Sequence, residues 1–106
     1  INSEIFVSRY QSVLTKIQQE TKSDIYCVTT WWATKVVDKI IYKMCTGNSI
    51  YIVDISGISS VAGARADTNG KFNNLGVASH PSDTGMQLIA TKIFENINFS
   101  NDKKNN

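Results

Sequence analysis

The 106-residue sequence has one histidine, one proline and two cysteines, and these scarcities exclude several classes of protein. One histidine and no CxxC pair leave too few soft ligands for an ordinary zinc site, so we expect neither a metal nor a cofactor. No apolar run approaches the roughly 18 residues that a membrane span needs. A formal net charge of +2, carried by scattered basic residues, also argues against a nucleic-acid partner.

The two cysteines belong to different kinds of segment. Cys27 sits in an apolar, strand-like run, and Cys45 stands near the end of a helical pattern. We expect two buried free thiols. A disulfide stays open as an alternative, because spacing alone does not establish the geometry that the bond requires. An extracellular or cell-surface location is compatible with the sequence.

Apolar periodicity predicts helices and strands in alternation. The helices are expected over about 4–21, 33–45 and 82–97, with apolar residues at spacings of three and four. Segments 24–30 and 49–55 are rich in β-branched and aromatic residues, which is typical of strands. This order indicates an α/β fold with a parallel sheet.

Two further segments complete the domain organisation. A glycine-containing loop of about residues 56–80 precedes the last helix, and a loop of that length is more often functional than idle. The polar residues 99–106 are predicted to form a disordered tail. Residues 1–98 are therefore expected to carry the folded part.

Two parallel strands are too few for a stable sheet of this kind. Parallel sheets are covered on both faces and usually contain more strands, and an unpaired apolar edge is a liability. We therefore expect the sheet to be completed by the missing N-terminal half of the domain or by a second chain. The alternative is a complete small α/β interaction domain that covers its sheet edge by self-association.

The only histidine and the only proline stand together in the segment His80-Pro81-Ser82-Asp83-Thr84-Gly85-Met86. A histidine just before a helix is suited to act as a general base, and such a base needs a nucleophile to serve. The surrounding stretch, Asn74 to Ala90, resembles the last conserved block of the SGNH/GDSL hydrolases. In that block His-Pro is followed by a short polar stretch and a glycine that opens the final helix. The resemblance spans roughly residues 4–98.

The resemblance implies a flavodoxin-like three-layer α/β/α sandwich, of which this chain supplies the C-terminal strands and helices. It also implies ester hydrolysis through an acyl-serine intermediate, with His80 as general base and an ester or acetylated carbohydrate as substrate. The family's Gly-Asp-Ser nucleophile turn and Gly-x-Asn-Asp block do not occur in this sequence. The nucleophilic serine is thus expected outside this chain, and the isolated chain is expected to be inactive.

The sequence departs from the family at the residue that orients the histidine. The usual aspartate, three residues before the histidine, falls at Val77 here. A backbone carbonyl or another carboxylate can hold the Nδ1 proton of His80 instead. The candidate carboxylates also have ordinary roles at a strand end, in a loop and at a helix cap; they are Asp54, Asp67 and Asp83. The replacement favours an alternative function, a catalytically decayed SGNH-like module kept for carbohydrate binding or assembly.

Trp31 and Trp32 follow the first predicted strand directly. Open α/β sheets bind their ligands at that edge, so one tryptophan is a candidate to line the acyl or sugar pocket. Packing of both rings beneath the second helix is the alternative. The loop serines do not stand in a strand–Ser–helix turn and are therefore poor nucleophile candidates.

Overall fold

The structure, a computed structural model, describes residues 2–66 and 74–105. Its elements in chain order are α1 (Ser3–Glu20), β1 (Tyr26–Val28), α2 (Lys35–Gly47), β2 (Tyr51–Val53), a 3-10 turn (Ile58–Ser60), α3 (Leu75–Ser79) and α4 (Asp83–Asn105). The predicted α/β class and the predicted alternation of helices and strands are confirmed. Helices contribute far more residues than strands do.

The sheet is small and parallel. β1 and β2 pair in register, with Tyr26 opposite Tyr51 and Cys27 opposite Ile52. Each strand has three residues, so both are shorter than the sequence predicted. Within residues 2–66 and 74–105 the sheet has these two strands only, and by itself it does not form a three-layer sandwich.

The main core lies between one face of the sheet and the helices α1 and α2. Its buried members come from both helices, from β1 and from the start of the second strand segment; they are Leu14, Cys27, Ile41, Cys45 and Ile50. Half-buried side chains such as Tyr10 and Val37 pack around them. The amphipathic patterns of the first two helices predicted Leu14 and Ile41 as buried, but other apolar residues of the same patterns are about half exposed; they are Ile5, Val13 and Val36.

Cys27 and Cys45 form a disulfide, so the prediction of two free thiols is wrong. Cys27 lies at the centre of β1, and Cys45 lies near the C-terminal end of α2. The crossover helix returns over the strand and brings the two Cα atoms to 6.5 Å, within the range that a disulfide spans. Both residues are buried, so the bond is part of the core.

The region predicted as one long loop contains two short helical segments, the 3-10 turn and α3. The side chain of Asn74 accepts hydrogen bonds from the backbone N–H groups of Gly76 at 2.8 Å and Val77 at 3.2 Å. It therefore caps α3, as asparagine often does at a helix start. This cap places the helix directly before His80.

The last helix is longer than predicted. α4 continues through Asn105, although the sequence predicted an end near Ile97 followed by a disordered tail. Residues 99–105 contain no glycine or proline, so nothing in their sequence stops the helix. At the other end the Ser82 hydroxyl accepts the Gly85 N–H at 3.1 Å, so Ser82 caps the start of α4.

Candidate functional site around His80

His80 connects α3 to α4 in an extended conformation, with φ −71° and ψ 163°. The proline that follows it favours this conformation. Backbone hydrogen bonds fix the chain on both sides of His80. The Ala66 N–H donates to the His80 carbonyl at 2.8 Å, and the Ser82 N–H donates to the Ala64 carbonyl at 2.8 Å. The histidine backbone is therefore held against residues 64–66.

Gly85 allows this close approach. A Cβ atom at Gly85 would collide with the backbone carbonyl of Ala64 and lie 3.2 Å from the Pro81 Cβ. The glycine of the His-Pro-x-Asp-x-Gly motif is thus required here for space. The same contact is tightened by Ser82, whose hydroxyl donates to the carbonyl of Gly63 at 2.6 Å.

A backbone carbonyl holds the imidazole of His80. Nδ1 makes a hydrogen bond with the carbonyl oxygen of Gly76, four residues earlier in α3. A carbonyl only accepts, so Nδ1 carries the proton and the neutral ring keeps Nε2 as the acceptor. Among the described residues, Nε2 has no hydrogen-bond partner, and His80 is exposed. The ring is therefore oriented, and Nε2 is left as its acceptor nitrogen.

The backbone carbonyl of Gly76 makes the contact with Nδ1 of His80 for which three carboxylates were candidates. Carbonyls in the last turn of a helix have no partner within that helix, so α3 offers this acceptor to a side chain at its end. Val77 contributes its carbonyl, which accepts the His80 backbone N–H at 3.2 Å. Asp83 lies in the first turn of α4, and Asp67 lies outside the described residues. The spacing of four residues between Gly76 and His80 would have indicated this contact only if α3 had been predicted as a helix.

Asp54 is bound at the end of β2 and does not orient His80. Its carboxylate accepts hydrogen bonds from the Tyr42 hydroxyl at 2.7 Å, the Ser56 N–H at 2.9 Å and the Thr29 hydroxyl at 3.3 Å. The bonds from Ser56, followed by the one from Tyr42, lower the pKa of Asp54 to about 2. The bond to Asp54 in turn raises the pKa of Tyr42 to about 12. This carboxylate therefore joins the end of β2 to α2 and to the end of β1.

Both tryptophans are directed toward the His80 segment. The indole N–H of Trp31 donates to the Ser79 carbonyl at 2.9 Å. The ring of Trp32 meets the imidazole of His80 edge-on, with 5.2 Å between centroids and 85° between planes. Trp32 is 49% exposed, so part of its ring faces solvent beside the histidine. The sequence placed this pair at the sheet edge, but the bond to Ser79, across 48 residues, left no local signal.

Residues 2–66 and 74–105 contain no group of three or more histidine, cysteine, aspartate or glutamate side chains arranged to hold a metal ion. No helix in the same ranges combines the length and the apolar character needed to cross a membrane.

Comparisons with protein-family models, with curated proteins and with solved structures found no match for this chain. The resemblance to the SGNH hydrolases therefore rests on the sequence block around His80.

Proposed function

We propose that His80 is the general base of an SGNH-type ester hydrolase site whose nucleophilic serine lies outside this chain. The observation that supports this role is the bond from Nδ1 to the Gly76 carbonyl, which leaves Nε2 as the acceptor nitrogen of an exposed histidine. In acyl transfer such a nitrogen takes the proton of the attacking serine hydroxyl and returns it to the leaving alcohol.

The Gly76 carbonyl performs part of what an aspartate does in a catalytic triad. It fixes the tautomer and the direction of the ring, which are two of the functions of the third member. It carries only a partial negative charge, so it stabilises the imidazolium less than a carboxylate would. We expect this site to be slower than one with the aspartate in place.

The position of His80 relative to the sheet supports the same role. β1 and β2 are parallel, so their C-terminal ends lie at one edge. Trp31 follows β1 at that edge and is bonded to the residue before His80. The candidate base is therefore held near the carboxyl edge of the sheet, where ligands of open α/β folds bind.

We propose that further strands complete the sheet into a three-layer α/β/α sandwich. Among the described residues β1 pairs only with β2. α1 exposes 49% of Ile5 and 56% of Val13, next to the stacked rings of Phe6 and Tyr10. A strand added beside β1 would extend the sheet beneath α1 and cover this apolar flank. The strand would come from the N-terminal half of the domain or from a second chain.

The substrate we propose is an ester or an acetylated carbohydrate. The half-exposed ring of Trp32 next to His80 offers an aromatic surface for an acyl group or a sugar face. The Cys27–Cys45 disulfide is typical of proteins that fold in oxidising compartments, and it supports an extracellular or cell-surface location.

A serine-directed fluorophosphonate probe tests the proposal on the intact polypeptide or complex that contains this chain. We expect labelling of a serine outside these 106 residues, and loss of labelling and of p-nitrophenyl acetate hydrolysis in His80→Gln. Lys92→Ala, on the exposed surface of α4, is the matched control and should keep both. The isolated chain should neither label nor hydrolyse the ester.

Two results would contradict this function. Labelling that persists in His80→Gln would remove the histidine from the reaction. A complete protein that does not label at all would favour the decayed carbohydrate-binding or assembly module, which the absence of a carboxylate at position 77 also suggests.

A further inference from the structure

One side-chain hydrogen bond joins the loop after β1 to the segment that carries His80. The indole N–H of Trp31 donates to the carbonyl of Ser79, the last residue of α3. We infer that Trp31 is a positioning residue that sets the orientation of the His80 imidazole by holding the end of α3. The catalytic meaning of this role rests on the proposed function of His80.

α3 needs such an external contact. It has five residues, and a helix of that length is not stable alone in water. Asn74 caps its start, and its end has to be held by contacts from outside the helix. The imidazole takes its hydrogen bond from Gly76 within this same helix, so a displaced α3 would misplace the acceptor relative to the ring.

The loop that carries Trp31 is well suited to hold another segment. The Thr30 N–H donates to the Asp38 carboxylate at 2.8 Å, and the Thr34 N–H donates to the Thr30 hydroxyl at 3.0 Å. The disulfide joins the strand before this loop to the helix after it. Trp31 therefore belongs to a loop that its own hydrogen bonds hold in place, and it contacts a helix that is too short to be stable alone.

Trp32 provides a matched control because it has a different relation to the site. Its ring touches the imidazole directly, and no hydrogen bond from its indole N–H is found among the described residues. Trp31→Phe removes the donor to Ser79 but keeps an aromatic ring, whereas Trp32→Phe keeps an aromatic ring against His80. Both variants lose an indole, but only Trp31→Phe loses the hydrogen bond to Ser79. A difference between them is therefore due to that bond.

The tautomer of His80 gives the direct test. His80 is the only histidine, so every histidine ring signal in a long-range 1H–15N correlation spectrum belongs to it. In the neutral ring we expect the proton on Nδ1 in the unmodified chain and in Trp32→Phe. In Trp31→Phe we expect Nδ1–H to cease to be the major tautomer. Retention of Nδ1–H in Trp31→Phe would overturn the inference.

A second measurement uses the unmodified chain and does not depend on how well the variants fold. The bond to Ser79 predicts that the indole N–H of Trp31 exchanges with solvent much more slowly than that of Trp32. Equal exchange rates would refute the bond and with it the inference. Neither measurement involves an ester, so a failed labelling experiment leaves the positioning role intact.

If the fluorophosphonate probe does label the protein, Trp31→Phe should lower kcat by about 10- to 100-fold with KM unchanged, because a small misplacement of the general base slows the chemical step strongly.

Discussion

The α1–β2 part of the chain and the His80 region are held together by different interactions. In the first part, helices and strands enclose an apolar cluster that includes the Cys27–Cys45 disulfide, and every buried member of the cluster lies between residues 14 and 50. In the His80 region the prominent contacts are hydrogen bonds and the close approach of Gly85 to Ala64. Both parts leave some large apolar side chains exposed, such as Val13 in the first part and Phe94 in the second.

The two kinds of interaction have different consequences: apolar burial stabilises the fold, and hydrogen bonds fix the direction of side chains. Apolar burial is not directional, so the first part gains stability without a demand on exact angles. Hydrogen bonds are directional and contribute about 1 kcal/mol each. The second part can therefore fix the direction of one imidazole, although we expect it to contribute less to the free energy of unfolding than the first part does. We expect substitutions in the two parts to differ in the same way.

The largest expected effect comes from removing the disulfide. The double variant Cys27→Ala/Cys45→Ala should lower the free energy of unfolding by about 3 kcal/mol, because the unfolded chain regains the entropy of an open loop. The two cysteines are 18 residues apart, which sets the size of that loop. Urea unfolding followed by circular dichroism measures the loss. A reducing agent should destabilise the unmodified chain and leave the double variant unchanged.

Equal urea midpoints for the oxidised chain and the double variant would contradict this prediction. They would mean that apolar packing alone stabilises the first part, and the contrast between the two regions would lose its strongest element.

Gly85→Ala should have the next largest effect and should act on the other region. The new Cβ would collide with the Ala64 carbonyl, and overpacking of this kind costs about 1–3 kcal/mol. The shift should also break the Ser82–Ala64 hydrogen bond, so the ring nitrogen signals of His80 should move. Gly57→Ala is the matched control, because nothing lies within 4 Å of a Cβ built there.

One result of the comparison between these two glycine variants would contradict the prediction. If Gly85→Ala unfolds at the same urea concentration as Gly57→Ala and keeps the His80 signals, the close approach does not hold the histidine.

The sequence was most informative where a pattern is local. Periodicity predicted the α/β order and the buried residues Leu14 and Ile41, although Ile5, Val13 and Val36 of the same patterns are exposed. The start of α4 was predicted within one residue, next to the Ser82 side chain that caps it. Such features depend on residues that are close in the sequence, so their spacing can be read directly from it.

Long-range contacts were beyond the reach of the sequence. The Cys27–Cys45 bond depends on where α2 lands over β1, and the bond from Trp31 to Ser79 joins residues 48 positions apart. The Gly76 contact was local, but it requires α3, which was predicted as part of a loop. The predicted end of α4 near Ile97 was wrong. Residues 99–105 are polar, but they contain no glycine or proline that would stop the helix.

The smallest expected effect concerns the Tyr42–Asp54 pair, which supports the first part at its exposed edge. The pKa of Asp54 is lowered from 3.8 to about 2, so its contribution to stability is present above pH 4 and is lost as the pH falls toward 2. The pKa of Tyr42 is raised from 10.0 to about 12, so its contribution is present below pH 10 and is lost as the pH rises toward 12.

Tyr42→Phe removes the hydroxyl from this pair and should cost about 0.5–1 kcal/mol near neutral pH, because one hydrogen bond at an exposed site is lost. The urea midpoints of the unmodified chain and Tyr42→Phe, measured from pH 2 to pH 12, should converge at the alkaline end and also approach each other at the acid end. Asp54→Asn should remove the acid dependence that Asp54 contributes. A constant difference between the unmodified chain and Tyr42→Phe across the whole range would contradict the prediction, because the effect of the hydroxyl would then not depend on the charge of Asp54 or on the protonation of Tyr42.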